Sequence, residues 1–140
     1  MCNTTDRKSA QMRAIRREGT SAELVVGRLL YGLGQRYRKN VKSLPGSPDF
    51  ANKSRKWAIF VNGCFWHRHT ACTRATIPKS NQQFWLEKFA KNRKRDATAV
   101  LSIRRLGFCA IIVWECETAD QERLKRRLVD VFETRGIDMR

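Results

Sequence analysis

The run Trp57-Ala58-Ile59-Phe60-Val61 places five apolar residues in succession with no polar residue between them. A strand with one wet face alternates apolar and polar side chains, so an unbroken run is expected where both faces are covered. Residues 108–114 form a second apolar run of the same kind. Strands like these, set among helical segments, predict a three-layer α/β domain with a mixed sheet flanked by helices. The 140 residues fit one domain, 1–140, and 41% hydrophobic content suffices for a packed interior. There is no internal repeat, no low-complexity linker and no apolar run approaching the roughly 18 residues of a membrane span.

The other elements follow from period and punctuation. Residues 6–17 read as a short basic helix with Met12 and Ile15 on one face. A second helix is expected from a Thr20 cap, with Glu23 completing a capping box, Val25, Leu29, Leu30 and Leu33 on its buried side, and Gly34 ending it. Residues 36–41 read as a strand, and Pro45-Gly46-Ser47-Pro48 breaks regular structure. Residues 49–51 and 56–61 read as two strands joined by the turn Asn52-Lys53-Ser54. A long helix is expected over 80–106, capped at Ser80 or Asn81 and ended by Gly107, and an amphipathic one over 121–132. Between them, residues 63–79 have no period, and an irregular stretch of that length inside a compact domain needs something to hold it.

Charge narrows the function. Lys and Arg number 29 against 13 acids, a formal net charge of +16. Self-repulsion of that size destabilises a compact chain unless a polyanion screens it, and nucleic acid is the expected partner. Anionic membrane, ribosomal RNA or simple solubility would also suit a basic surface. The polar residues 1–17 lack the apolar stretch of a signal peptide, so a cytoplasmic, nucleoid-associated location is expected. Five cysteines in that compartment point to metal binding, burial or redox chemistry rather than disulfides.

Cys64, His69, Cys72 and Cys116 form a candidate zinc set, because thiolate and imidazole suit tetrahedral Zn²⁺ and one ion would fix the irregular loop. The spacing is not that of a standard finger, and four unrelated residues would give the same pattern. Cys109, inside an apolar run, reads as packing. Asp49 opens a strand after a proline, where a carboxylate can hold Mg²⁺ beside a phosphate or merely close a turn. His67 can take a proton from water as a neutral imidazole, replace Cys116 as a zinc ligand, or stand in solvent. Glu23 is either the capping residue or an outer carboxylate near a metal. The pairs Phe65-Trp66 and Phe84-Trp85, beside basic residues, can stack on bases or wedge between them; Trp57 and Trp114 read as core.

Five segments resemble the very-short-patch-repair (Vsr) DNA mismatch endonuclease family: Met12-Arg13-Ala14-Ile15, Leu44-Pro45-Gly46-Ser47-Pro48-Asp49-Phe50, Gly63-Cys64-Phe65-Trp66-His67-Arg68-His69, Phe84-Trp85-Leu86-Glu87-Lys88 with Asn92 and Asp96, and Val113-Trp114-Glu115-Cys116. The resemblance implies a restriction-endonuclease-like fold with a structural zinc site. It also implies Mg²⁺-dependent nicking of the thymine strand, 5′ to a T:G mismatch left by deamination of 5-methylcytosine. A cytosine-5 DNA methyltransferase and a repair polymerase are the implied functional companions, and the monomer is the implied state.

Carried over by residue, the resemblance makes Asp49 and the Val61 carbonyl Mg²⁺ ligands, His67 the general base, and Glu23 an outer member of the metal site. It makes Cys64, His69, Cys72 and Cys116 zinc ligands and Phe65, Trp66 and Trp85 the wedge. Met12, Arg13 and Ile15 of the N-terminal helix (1–19), with Lys88 and Asn92, become DNA contacts. Asn62 stands in the catalytic cluster where many members have His, so a proton-transfer role there is lost or weakened. One extra residue separates His69 from Cys72, and the tail, 134–140, is short beside longer relatives. Rival readings are a nuclease of the same fold that ignores mismatches and a non-catalytic, zinc-stabilised DNA-binding module.

Overall fold

The computed structural model describes residues 21–64 and 78–139; expectations for residues 1–20, 65–77 and 140 lie outside them. Helix α1 (Ser21–Gly32) is followed by β1 (Arg38–Lys39), β2 (Phe50–Asn52) and β3 (Trp57–Asn62). After α2 (Gln82–Arg105) come β4 (Cys109–Trp114), a 3-10 turn (Glu115–Ala119) and α3 (Gln121–Thr134). The sheet order is β1-β2-β3-β4. The first two pairings are antiparallel, and β3 runs parallel to β4 from Trp57↔Cys109 to Asn62↔Trp114. Parallel neighbours need a long crossover, which the segment containing α2 supplies.

Every residue of β3 except Phe60 is buried, so the unbroken apolar run does mark a strand covered on both faces. On one face Trp57, Ile59 and Val61 join Val26 and Leu30 of α1 and Leu124, Leu128 and Phe132 of α3. On the other, Ala58 packs with Ala51, Ile103, Phe108 and, from the loop before β2, Val41 and Leu44. The result is three layers: α1 and α3, the mixed sheet, then α2. Among the described residues no helix is long and apolar enough to cross a membrane.

Several expectations are corrected in detail. Strand β1 spans two residues rather than 36–41, because Asn40 adopts φ 49° and turns the chain out of the extended conformation. The buried face of α1 is Ala22, Glu23, Val26, Gly27 and Leu30; Val25 and Leu29 are only half-buried. Gly27 explains the rotation, since a Cβ there would come within 3.0 Å of Tyr37 Oη and 3.5 Å of Phe50. Leu30 and Leu33 are buried as expected, and Leu29 packs at the margin of the core, but the closest approach to the sheet is made at Gly27, which periodicity in large side chains does not show. Asn81 is the N-cap of α2, but at φ 55° its side chain makes no capping bond. Trp114 is half-buried rather than core, because β4 alternates buried and half-buried residues along its length. Gly34 at φ 70° and Gly107 at φ 86° end their helices as expected.

Beyond α3, Gly136 turns the chain at φ 68° and Ile137 is buried. The Asp138 carbonyl accepts from Gln35 Nε2 at 2.7 Å and Arg55 Nη1 at 2.8 Å. Gln35 Oε1 in turn accepts from the Trp57 indole N–H at 3.1 Å, so the tail is tied to the central strand. Trp57, wholly buried and 5.6 Å from the Phe132 ring, is the largest side chain in this core. Trp57→Ala is expected to cost about 3–5 kcal/mol in urea denaturation, and Trp57→Phe distinctly less, since Arg55 still satisfies Gln35 Oε1.

Candidate active site

Strand β2 pairs with β3 only as far as Phe50↔Ile59. The next residue of the β2 chain, Asp49, makes a different bond: its Oδ2 accepts from the Val61 backbone N–H at 2.6 Å. The N–H and C=O of one extended residue point to the same strand edge. The Val61 carbonyl therefore faces the side on which the Asp49 carboxylate stands. The ladder is held up to that point from the other side, where Asn40 N–H donates to the Asp49 carbonyl and Val41 N–H to the Pro48 carbonyl, both at 3.0 Å.

This corner opens into a cavity of about 410 Å³ whose walls carry Asp49, Val61, Asn62, Asp96, Arg95 and Lys42. Asp49 and the Val61–Asn62 end of β3 form the floor. Asp96 and Arg95 come from α2, and Lys42 comes from the segment before β2. The donor set of carboxylates and a strand-end carbonyl is hard oxygen, the kind that suits Mg²⁺ rather than a soft metal. Asn62 is buried and contributes an amide that can donate to a phosphate oxygen.

The loop that delivers Asp49 depends on one glycine. Gly46 sits at φ 74°, and a Cβ there would collide with Ala99 Cβ of α2 and stand 3.1 Å from the Phe60 ring. Ser47 follows at φ 48° and Pro48 is fully buried, so the chain enters Asp49 from a turn pinned between α2 and β3.

Glu23 lies in the first turn of α1 and is buried, one turn before Gly27, on the face packed against Phe50. It is not among the residues that line the cavity. Its proposed capping partner Thr20 lies outside the described residues. Cys64 is fully buried, and Cys116 is half-buried in the 3-10 turn. Because Asn62 pairs with Trp114, each cysteine stands two residues past the matched ends of neighbouring parallel strands. Arg127 locks that turn: its Nη1 donates to Glu117 Oε2 at 2.8 Å and its Nη2 to the Ile112 carbonyl at 2.8 Å. Cys109 is buried in the core, as its apolar surroundings imply.

On α2, Trp85 is half-buried and stacks on the buried Phe89, with ring centroids 5.8 Å apart and planes 26° apart. Phe84 meets Trp85 edge-on at 5.3 Å, and Lys88 Nζ lies 5.9 Å from the Phe84 ring. Asn92 is buried on the inward face of the helix, away from the open surface. Met12, Arg13, Ile15, Phe65, Trp66, His67, His69 and Cys72 lie outside the described residues.

Sequence reasoning assigned no role to Asp96, Arg95 or Lys42. A signal for Asp96 exists: it shares a helix face with Asn92, Ala99, Val100 and Ile103, which are all buried. Asp96 itself is half-buried, and partial desolvation of a carboxylate beside a packed face is a cost that a binding role would offset.

Residues 2–74 match the sequence profile of the family described as DNA mismatch endonuclease Vsr. The DNA mismatch endonuclease Vsr of Escherichia coli is 40% identical over 117 residues, 84% of this chain and 74% of the relative. The chain belongs to the Vsr family. It is accordingly a DNA endonuclease. The type II nicking enzyme V.NmeAIP of Neisseria meningitidis serogroup A is 41% identical, with 89% of each chain covered. The type II nicking enzyme V.XorIIP of Xanthomonas oryzae pv. oryzae is 36% identical over 91% of this chain and 93% of its own length.

The glycine beneath that corner gives a direct test. Gly46→Ala is expected to lose about 1–2 kcal/mol from the left-handed backbone and a further roughly 1–3 kcal/mol from overpacking against Ala99. Gly107→Ala, also at positive φ but in open space, should show only the first loss. Urea denaturation measures both, and only the Gly46 variant should also lose endonuclease activity, because it displaces Asp49.

Proposed function

We propose that this endonuclease nicks the thymine-bearing strand on the 5′ side of a T:G mismatch in an Mg²⁺-dependent hydrolysis. The observation that carries the reading is the Asp49 carboxylate bonded to the Val61 N–H at an open sheet corner, in a chain of the Vsr family. Relatives named type II nicking enzymes support cutting of one strand, and the relative named DNA mismatch endonuclease supports the mismatch as target.

Asp49 and the Val61 carbonyl would hold Mg²⁺, with Asp96 on the facing wall as a further oxygen donor. Bound there, the ion supplies charge stabilisation to the reacting phosphodiester and its leaving oxygen. His67 would take one proton of the attacking water as its oxygen bonds phosphorus and the bond to the 3′-oxygen breaks; that oxygen takes a proton from solvent, leaving a 5′-phosphate and a 3′-hydroxyl. Asn62 donates to a phosphate oxygen and cannot accept the proton, so base catalysis falls to His67 alone. Glu23 would be an outer member of the metal site.

Selection of the mismatch rests on Phe65, Trp66 and Trp85 as rings entering beside the weak pair. Opening a base step costs a few kcal/mol, least at a wobble pair, and ring–base stacking returns about 1–3 kcal/mol per base. The stack of Trp85 on buried Phe89 supports this role, because a backed ring cannot fold away from the duplex. Met12, Arg13 and Ile15 would approach from the opposite groove. A structural Zn²⁺ on Cys64, His69, Cys72 and Cys116 completes the reading. The matched strand ends before Cys64 and Cys116 support it, since neighbouring strands lie about 5 Å apart, within the span of one tetrahedral ion's ligands.

Duplexes holding T:G or T:A, each strand labelled in turn, test the proposal with Mg²⁺ or with chelator. The expected product is one cut, in the thymine strand of T:G, only with Mg²⁺; equal cutting of T:A would overturn the mismatch reading. Asp49→Ala should abolish nicking while retaining duplex affinity, and His67→Ala should slow single-turnover cleavage by about 10²–10⁴-fold. Normal cutting by both variants would move the active site elsewhere. Metal analysis should return about one zinc per chain, and Cys116→Ala should lower the melting temperature rather than only the rate.

A further inference from the structure

The segment leading into the active site is unusually basic and is built into two cavities at once. Arg36 and Arg38, with Asn52 and Lys53, line an open groove of about 470 Å³ at the outer edge of the sheet. Four residues further on, Lys42 lines the active-site cavity. The backbone between them is fastened to the strand that carries Asp49. Arg38 pairs with Ala51 and Lys39 with Phe50, and the Asn40 and Val41 N–H groups donate to the Asp49 and Pro48 carbonyls. From Arg36 to Lys56 the chain has seven basic residues against one acid, and that acid is Asp49. Arg36, Arg38, Lys39, Lys42 and Lys53 are all exposed.

Charges on an edge strand can serve only to block strand addition. This edge needs little such protection, because β1 has two paired residues and ends at Asn40, whose φ of 49° breaks the extended conformation. The cations exceed that need, and their order has a direction, from the outer groove to the cavity. Alternate residues of an extended segment lie roughly 6.5–7 Å apart, about two phosphate rises of one DNA strand along the duplex axis. Guanidinium groups match phosphate through paired donors.

We propose that Arg36, Arg38, Lys53 and Lys42 form a rail for backbone phosphates, along which one flank of the duplex leaves the active-site cavity over the sheet edge. The rail goes beyond the mismatch reading and requires only that duplex DNA is the substrate. It contributes affinity and register and reads no base, since phosphate contacts carry no sequence information. It also predicts asymmetry: the flank lying on the rail matters for binding and the other flank does not use it.

The salt series uses the full chain, ordinary T:A duplex and chelator, so it depends neither on mismatch choice nor on metal; the shortening series uses a T:G duplex in chelator, because only a fixed register defines a flank. Affinity is measured over a salt series for wild type and for Arg36→Gln/Arg38→Gln. Removing one cation from a phosphate should flatten the log–log salt slope by about 0.9, or roughly 1.8 for the pair. Shortening the duplex from one particular flank should weaken the wild type and leave the double variant indifferent. Arg104→Gln/Arg105→Gln at the far end of α2, an equal change in charge, should remain as sensitive to that shortening as the wild type. Arg36→Lys/Arg38→Lys should recover most of the slope. Should the double variant unfold, each single variant carries the same test with about half the change. A wild-type slope in the double variant, or an equal response to shortening, would overturn the rail and show these cations to be edge protection alone.

Discussion

Burial of β3 on both faces organises this protein. Five of its six residues are buried, and a strand so placed must have a packed layer above and another below. Trp57, Ile59 and Val61 draw α1 and α3 to one face, while Ala58 draws α2 and the loop before β2 to the other. Parallel pairing with β4 on one edge and antiparallel pairing with β2 on the other supply the backbone bonds that let so apolar a strand sit in the interior. Antiparallel β2 covers the other edge only as far as Ile59, and the cavity lined by Asp49 opens where that coverage stops.

The site follows from an interrupted ladder. Beyond Phe50 the chain leaves the sheet through Pro48 and the Gly46–Ser47 turn, so a side chain rather than a backbone group meets Val61 N–H. That exchange brings a carboxylate and a backbone carbonyl to the same edge. The turn is held rigid by close contact between Gly46 and α2, the helix that also contributes Asp96 and Arg95 to the opposite wall. Packing and function therefore share parts: the helix that closes the second core layer is also the wall of the cavity.

Much of this was legible in the residues. Unbroken apolar runs identified β3 and β4, amphipathic spacing identified α3, and Gly34 and Gly107 marked helix ends, because each signal reports a local backbone or burial requirement. Membership of the Vsr family was legible too, whereas the strand read over 49–51 starts one residue later, at Phe50, because the Asp49 side chain rather than its backbone meets Val61 N–H. The misreadings share a cause. Periodicity in Val25 and Leu29 missed the Gly27 contact because close approach is made by the absence of a side chain. Strand 36–41 was overlong because nothing in one sequence shows that Asn40 takes a left-handed conformation.

Composition, order and motif determined by themselves that this is a basic three-layer α/β domain of a DNA endonuclease family, since charge, apolar runs and turn residues act locally. Tertiary structure alone decided which residues meet at the cavity. Asp96 lies 47 positions from Asp49 and Lys42 lies 54 from Asp96 in the chain, and only the packing of α2 across the sheet brings them to one space. It also decided that Asn92 and Glu23 face inward and that the basic stretch before β2 runs as one edge between two cavities. Such neighbourhoods are set by how layers stack and where a ladder ends, which are properties of several segments at once and of no segment alone.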